Sequence, residues 1–210
     1  MSTFVLKGTS AGGNGHRGVG AGVTTSPSAP TDRLTSGSLI FHADADTGYG
    51  NALNARRAVR ELERAGVAAL HLEDQVFRKR CGHYDDKAVV PVAEMAQKLR
   101  AARDAAIDSD LVLIARTDAL AVEGLDAAIE RALAYGDAGA DVIFIEAPTT
   151  DAEIEAIAGR VPKPKLINMF EGGKTPLVPL DRLAALGYRI VIIPSDLQRA
   201  AIRAMEDTLR

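Results

Sequence analysis

The chain has a single cysteine, no tryptophan and only 4% aromatic residues among its 210. One cysteine closes no internal disulfide, which excludes the disulfide-stapled secreted scaffolds and directs attention to the chemistry of that thiol, Cys81. No apolar run approaches the roughly 18 to 20 residues that cross a bilayer, and the N-terminus lacks the continuous apolar stretch of a secretory signal. The expectation is an intracellular, cytoplasmic protein with no membrane partner. An excess of basic charge is missing too. Lys and Arg number 25 against 28 Asp and Glu, for a net charge of −3, so no broad field attracts phosphate backbones and nucleic acid is not an expected partner. What is present, 47% hydrophobic and 25% charged residues, is ordinary globular usage in a chain long enough to bury a substantial core.

Residues 1–38 differ from all that follows. Eight of the 19 glycines lie there and Phe4 is the only aromatic, so the segment reads as irregular. Its one acid (Asp32) and its bases (Lys7, Arg17, Arg33) leave a mitochondrial transit peptide as an alternative, against which the glycine content argues. Residues 39–210 read as one domain. Short apolar runs at Leu39–Asp44, Ala68–Glu73, Leu111–Arg116, Asp141–Glu146, Lys165–Met169 and Tyr188–Ile193 predict buried strands. Helix-period segments follow at Asn54–Ala65, Pro91–Ala106, Leu125–Ala138, Asp151–Ala158, Pro179–Leu186 and Ser195–Leu209, with stops expected at Gly66, Gly139, Gly159 and Gly187. Such alternation demands an α/β fold with a parallel sheet, either a TIM-type (β/α)8 barrel or an open doubly wound sheet.

Polar residues at the strand ends favour the barrel. Asp44 and Asp46, Glu73, Arg116 and Asp118, Glu146, and Asn168 stand at or just past the carboxyl ends of five successive strands. A barrel turns all of these ends toward one mouth, whereas an open sheet gathers ligand groups mainly at its switch point. Six βα units are two short of a closed barrel, so an incomplete barrel is expected.

Within His42-Ala43-Asp44-Ala45-Asp46-Thr47-Gly48-Tyr49-Gly50-Asn51, two carboxylates at i and i+2 share a side if the strand persists to Asp46. Hard oxygen ligands so placed suit Mg²⁺, with Mn²⁺ as a substitute and Glu73 or Glu146 orienting its waters; the plain alternative is that both aspartates cap the next helix. The polar connection from Gln75 to Val90 is long for a βα unit and reads as a lid or binding loop. In it Cys81 sits among Lys79, Arg80 and His83, which favour thiolate, while Gly82 lets the backbone bend; the thiol then serves as nucleophile or as acid/base at a carbon centre. Arg116 suits a two-pronged grip on a substrate carboxylate or an enolate. Gly172-Gly173-Lys174 lacks the spacing of a phosphate-binding loop.

Taken together, ADADTGYGN (43–51), HLEDQVF (71–77), KRCGH (79–83), IARTDA (114–119), FIEAP (144–148) and INMFEGGKTP (167–176) resemble the isocitrate lyase and phosphoenolpyruvate mutase superfamily. The likeness is strongest to its 2-methylisocitrate lyase, dimethylmalate lyase and oxaloacetate hydrolase branch, and runs from about Leu39 to Ala204. The resemblance implies a Mg²⁺-dependent carbon–carbon lyase acting on a small 2-hydroxy di- or tricarboxylate, or a hydrolase of oxaloacetate. It implies Asp44, Asp46 and Glu73 at the metal, and Cys81 as the acid that protonates the enolate carbon, with Lys79, Gly82 and His83 in the same gating loop. Arg116, Glu146 and Asn168 then bind substrate carboxylates or tune the base. Relatives also carry earlier strands, C-terminal helices exchanged within a homotetramer, and commonly Pro where Arg78 stands, so a catalytically inactive relative is a further expectation.

Overall fold

The structure is a computed structural model that describes residues 41–81 and 86–210; the irregular reading of 1–38, residues 39 and 40 of the first predicted strand, and Gly82 and His83 lie outside them. Six strands form one parallel sheet: β1 (His42–Asp44), β2 (Ala69–Glu73), β3 (Val112–Thr117), β4 (Val142–Ile145), β5 (Lys165–Asn168) and β6 (Tyr188–Ile192). Their spatial order is their sequence order, each strand pairing with the next, so the sheet has no switch point. That is the progression of a barrel wall, and the fold is a partial (β/α)8 barrel.

Seven helices connect and follow the strands: α1 (Ala52–Arg64), α2 (Val92–Ala105), α3 (Ala119–Glu123), α4 (Leu125–Asp137), α5 (Asp151–Arg160), α6 (Leu180–Ala185) and α7 (Asp196–Thr208). Strand alternation divides the core in two. One set of side chains, including Leu70, Leu72, Leu113, Ala115, Ile143 and Ile167, packs on the helices with Met95, Leu99, Ile129 and Tyr135. The opposite set, Ala69, Ile114, Val142, Phe144, Leu166 and Ile192, forms a separate inner cluster. Two residues further along the same strands this inner face carries His71 and Glu73, Arg116, Glu146 and Asn168, so an apolar plug floors a polar mouth.

Three predicted details are corrected. α3 was not anticipated, because five residues are too short to show a helical period. Helix α5 passes through Gly159, since its Val161 cap bonds back to Ile157 and the expected left-handed stop is absent. Strand β1 ends at Asp44, its predicted bound, and does not persist to Asp46, which takes a left-handed φ of 49°. The two aspartates therefore meet through a turn, in which Asp46 N–H donates to Asp44 Oδ1 at 2.8 Å. Neither caps α1: Asn51 does so, accepting from Leu53 N–H at 2.9 Å.

Candidate active site

Backbone pairing beyond the strands fixes the mouth. Ala45 N–H donates to His71 O at 3.0 Å, Glu73 N–H to Asp46 O at 2.9 Å, and Glu146 N–H to Thr117 O at 3.0 Å. The pairing thus runs two residues past β1 and one past β4, and fixes the backbone that bears Asp46 and Glu146. Asp44 and Glu73 reach a shared space, and with His71 each offers one ligand atom within 4.8 Å of the others. His71 was not foreseen as a metal-site residue. Its signal was its place two residues before Glu73 on the same face of β2.

The ammonium of Lys79 lies in this space. It forms an ion pair with Asp46 and stands 3.7 Å from Asp44 Oδ2 and 3.6 Å from Glu73 Oε1. Burial opposes its charge, but the three carboxylates raise its pKa above the ordinary lysine value. His71 Nε2 approaches Asp44 Oδ1 to 3.0 Å, while His71 Nδ1 lies 2.9 Å from His42 Nε2. Burial works against the Asp44 carboxylate, yet His71, the Asp46 amide and Lys79 together hold it well below the usual range. Glu73 behaves oppositely. Fully buried, with neither carboxylate oxygen accepting a hydrogen bond, it is pushed up to about 7 by burial, against the pull of Arg116 and Lys79.

Arg116 occupies the next sector. Its Nε and Nη2 donate to Asp118 Oδ2 and Oδ1 at 2.9 and 3.2 Å, its Nε is 3.4 Å from Glu73 Oε2, and its Nη1 is 3.9 Å from Glu146 Oε2. The guanidinium carbon stands 5.3 Å from the centre of the Phe144 ring, which backs it. Burial is outweighed by Glu146, Asp118 and Glu73, which keep it protonated. Asn168, at the end of β5, directs a buried Oδ1 that has no hydrogen-bond partner.

The connection from Gln75 to Val90 is pinned at its base. Gln75 bridges to Val89, and its side-chain amide donates to Arg80 O at 2.9 Å and accepts from Arg80 N–H at 2.8 Å. Arg80 lies between Lys79 and Cys81, so this half-buried clamp holds the segment bearing both. Cys81 itself is a free, solvent-exposed thiol. Of the two basic residues read beside the thiol, Lys79 is engaged by the carboxylates and Arg80 lies 3.6 Å from Asp86.

The donors fit a hard divalent cation: Asp44, Asp46 and Glu73 converge on the space that Lys79 enters, and Glu73 offers two oxygens that accept no hydrogen bond.

A partial barrel with acids and an arginine at its strand ends defines an α/β barrel protein with a polar site at the carboxyl ends of its strands. Residues 28–210 match the phosphoenolpyruvate phosphomutase family, and the chain belongs to it. It is 50% identical over 165 residues to 2,3-dimethylmalate lyase of Eubacterium barkeri, which covers 79% of this chain and 57% of that protein. With 2-methylisocitrate lyase of Aeropyrum pernix it shares 50% over 167 residues, covering 80% and 54%. Among solved structures, oxaloacetate acetylhydrolase with the inhibitor 3,3-difluorooxalacetate superposes with a TM-score of 0.76 at 40% identity, over 82% of this chain and 59% of that one. Phosphonopyruvate hydrolase in complex with oxalate and Mg²⁺ does so with a TM-score of 0.69 at 34% identity, over 81% and 59%. The chain thus spans somewhat more than half the length of these relatives.

Proposed function

We propose that the chain is a Mg²⁺-dependent carbon–carbon lyase for a small 2-hydroxy di- or tricarboxylate of the 2-methylisocitrate or 2-alkylmalate type. The observation that carries this reading is the mouth itself: the carboxylates of Asp44, Asp46 and Glu73 converge on one space, beside an arginine clamped by Asp118 and next to the connection whose Lys79 enters that space and which bears Cys81. It is supported by the names of the relatives, which are lyases of such acids.

Asp44, Asp46 and Glu73, with His71 alongside Asp44, would hold the cation, which supplies positive charge for the oxygens of a bound substrate. Arg116 grips one substrate carboxylate, with Asn168 Oδ1 able to accept from a substrate hydroxyl and Glu146 turned toward the same arginine. Transfer of the 2-hydroxyl proton to a carboxylate of the mouth lets the bond between C2 and C3 break, giving a 2-oxo acid and the enolate of the second acid. Cys81 then donates its thiol proton to the enolate carbon, with Lys79 and His83 assisting in the same connection. Cys81 is exposed to solvent, and on this reading the Gln75–Val90 connection brings it to the enolate carbon.

Hydrolysis of oxaloacetate is the second reading, favoured by the likeness to oxaloacetate acetylhydrolase. There water adds to the ketone carbon, and oxalate and acetate leave. The direct test of the residue roles is a pair of variants assayed for product and for metal affinity. Cys81→Ser should lose turnover and keep Mg²⁺ affinity, whereas Asp46→Ala should lose both; a fully active Cys81→Ser protein would remove the thiol from the mechanism.

A further inference from the structure

Arg116 can select a carboxylate only if its guanidinium is held in one orientation. Asp118 takes its Nε and Nη2 donors, leaving Nη1 as the arm nearest Glu146. Without Asp118 the guanidinium would have two buried carboxylates within reach, Glu73 at 3.4 Å and Glu146 at 3.9 Å, and both are groups that the proposed chemistry needs for other work.

Asp118 is in turn immobilised. Its side chain is fully buried, and its backbone N–H donates to Asp74 Oδ1 at 3.0 Å. The fully buried Asp74 carboxylate also accepts from Thr117 Oγ1 at 2.7 Å and from the Tyr135 hydroxyl of α4 at 2.8 Å. From the other side, Lys87 Nζ meets Asp118 Oδ1 at 2.9 Å with a side chain only 1% exposed. Lys87 lies on the returning arm of the connection whose outgoing arm carries Lys79 and Cys81. One carboxylate therefore joins the substrate arginine to the Cys81 connection.

We infer that Asp118 is a positioning residue: it aims Arg116 at a substrate carboxylate and ties the returning arm of the Cys81 connection to that aim. The inference deepens the proposed function and rests on it for the identity of the anion. Asp118→Asn keeps the backbone bond to Asp74 while removing the charge shared by Arg116 and Lys87.

Two measurements on the whole chain test it. The first is the arginine Nε–H nuclear magnetic resonance signal of Arg116, assigned by its disappearance in Arg116→Lys. It should be sharp and slow to exchange in the unaltered protein, and shifted or broadened in Asp118→Asn. The second is calorimetric affinity for oxalate in Mg²⁺, which should fall at least about tenfold in Asp118→Asn, as for loss of a charge-assisted clamp. On an Arg116→Lys background the same substitution should change affinity by less than about threefold, because coupled residues are not additive. If Asp118→Asn does not fold, Asp118→Glu keeps the charge but displaces it, and the same two readouts apply. An unchanged Nε–H signal, or losses that add across the double variant, would overturn the inference. If the unaltered chain binds no oxalate in Mg²⁺, the proposed function fails, while the resonance result still decides the role of Asp118.

Discussion

An ammonium group set among three carboxylates competes with any metal ion for the same oxygens. Lys79→Met removes that competitor, so Mg²⁺ affinity measured by calorimetry should tighten by about tenfold, an increment expected when one nearby positive charge is withdrawn from a half-buried site. An unchanged or weaker affinity would mean that Lys79 does not share the cation seat. In sequence, Lys79 reads as a neighbour of Cys81, and nothing in that adjacency tells that its side chain turns back to Asp44 and Asp46. The acids were legible because strand ends are recognisable and a barrel gathers them. Asp74, Asp118 and Tyr135 were not read as partners, because Asp74 meets Tyr135 across 61 positions and Thr117 across 43. Such pairings depend on how β2, β3 and α4 pack, which no local period encodes.

At the scale of elements, the buried Asp118 carboxylate links charge to stability. Burial opposes its ionisation, but Arg116 and Lys87 outweigh that and hold its pKa below the ordinary 3.8. The unfolded chain therefore takes up the proton first. Stability from this group is complete above pH 3.8 and declines as pH falls through that value toward the lower folded one. Urea unfolding followed against pH should show this acid limb, and Asp118→Asn should flatten it. Helix α5 offers a separate test. Gly159 lies inside the helix, and a Cβ there would meet no atom within 4 Å. Gly159→Ala should thus stabilise the protein by about 0.5–1 kcal/mol, read as a rise in the urea midpoint with unchanged slope; a loss would show that the helix does not continue through this position. Sequence placed every strand to within a few residues, since apolar runs between glycine stops are a strong signal. It misplaced the end of α5 because a glycine at a helix end and a glycine within its last turn look alike until the backbone bonds are seen.

For the whole molecule, sequential strand order is what brings Asp44, Glu73, Arg116, Glu146 and Asn168 to one mouth. A reversal anywhere in that order would have divided them between two edges. Among the described residues the sheet has six strands, and α7 buries no side chain, with Leu197, Met205 and Leu209 exposed. No helix of the described residues is long and apolar enough to cross a membrane. Among the described residues the inner apolar cluster and the helix-packed core lie beneath the strand ends that carry the site. The central claim is that this mouth cleaves a carbon–carbon bond with the help of a divalent cation. Its most direct test is product release by the purified chain from 2-methylisocitrate, 2,3-dimethylmalate, isocitrate and oxaloacetate, in Mg²⁺ and then in chelator. The account predicts a 2-oxo acid, pyruvate from either of the first two, formed in Mg²⁺ and abolished by chelator; a well-folded chain that releases no product from any of the four would contradict it.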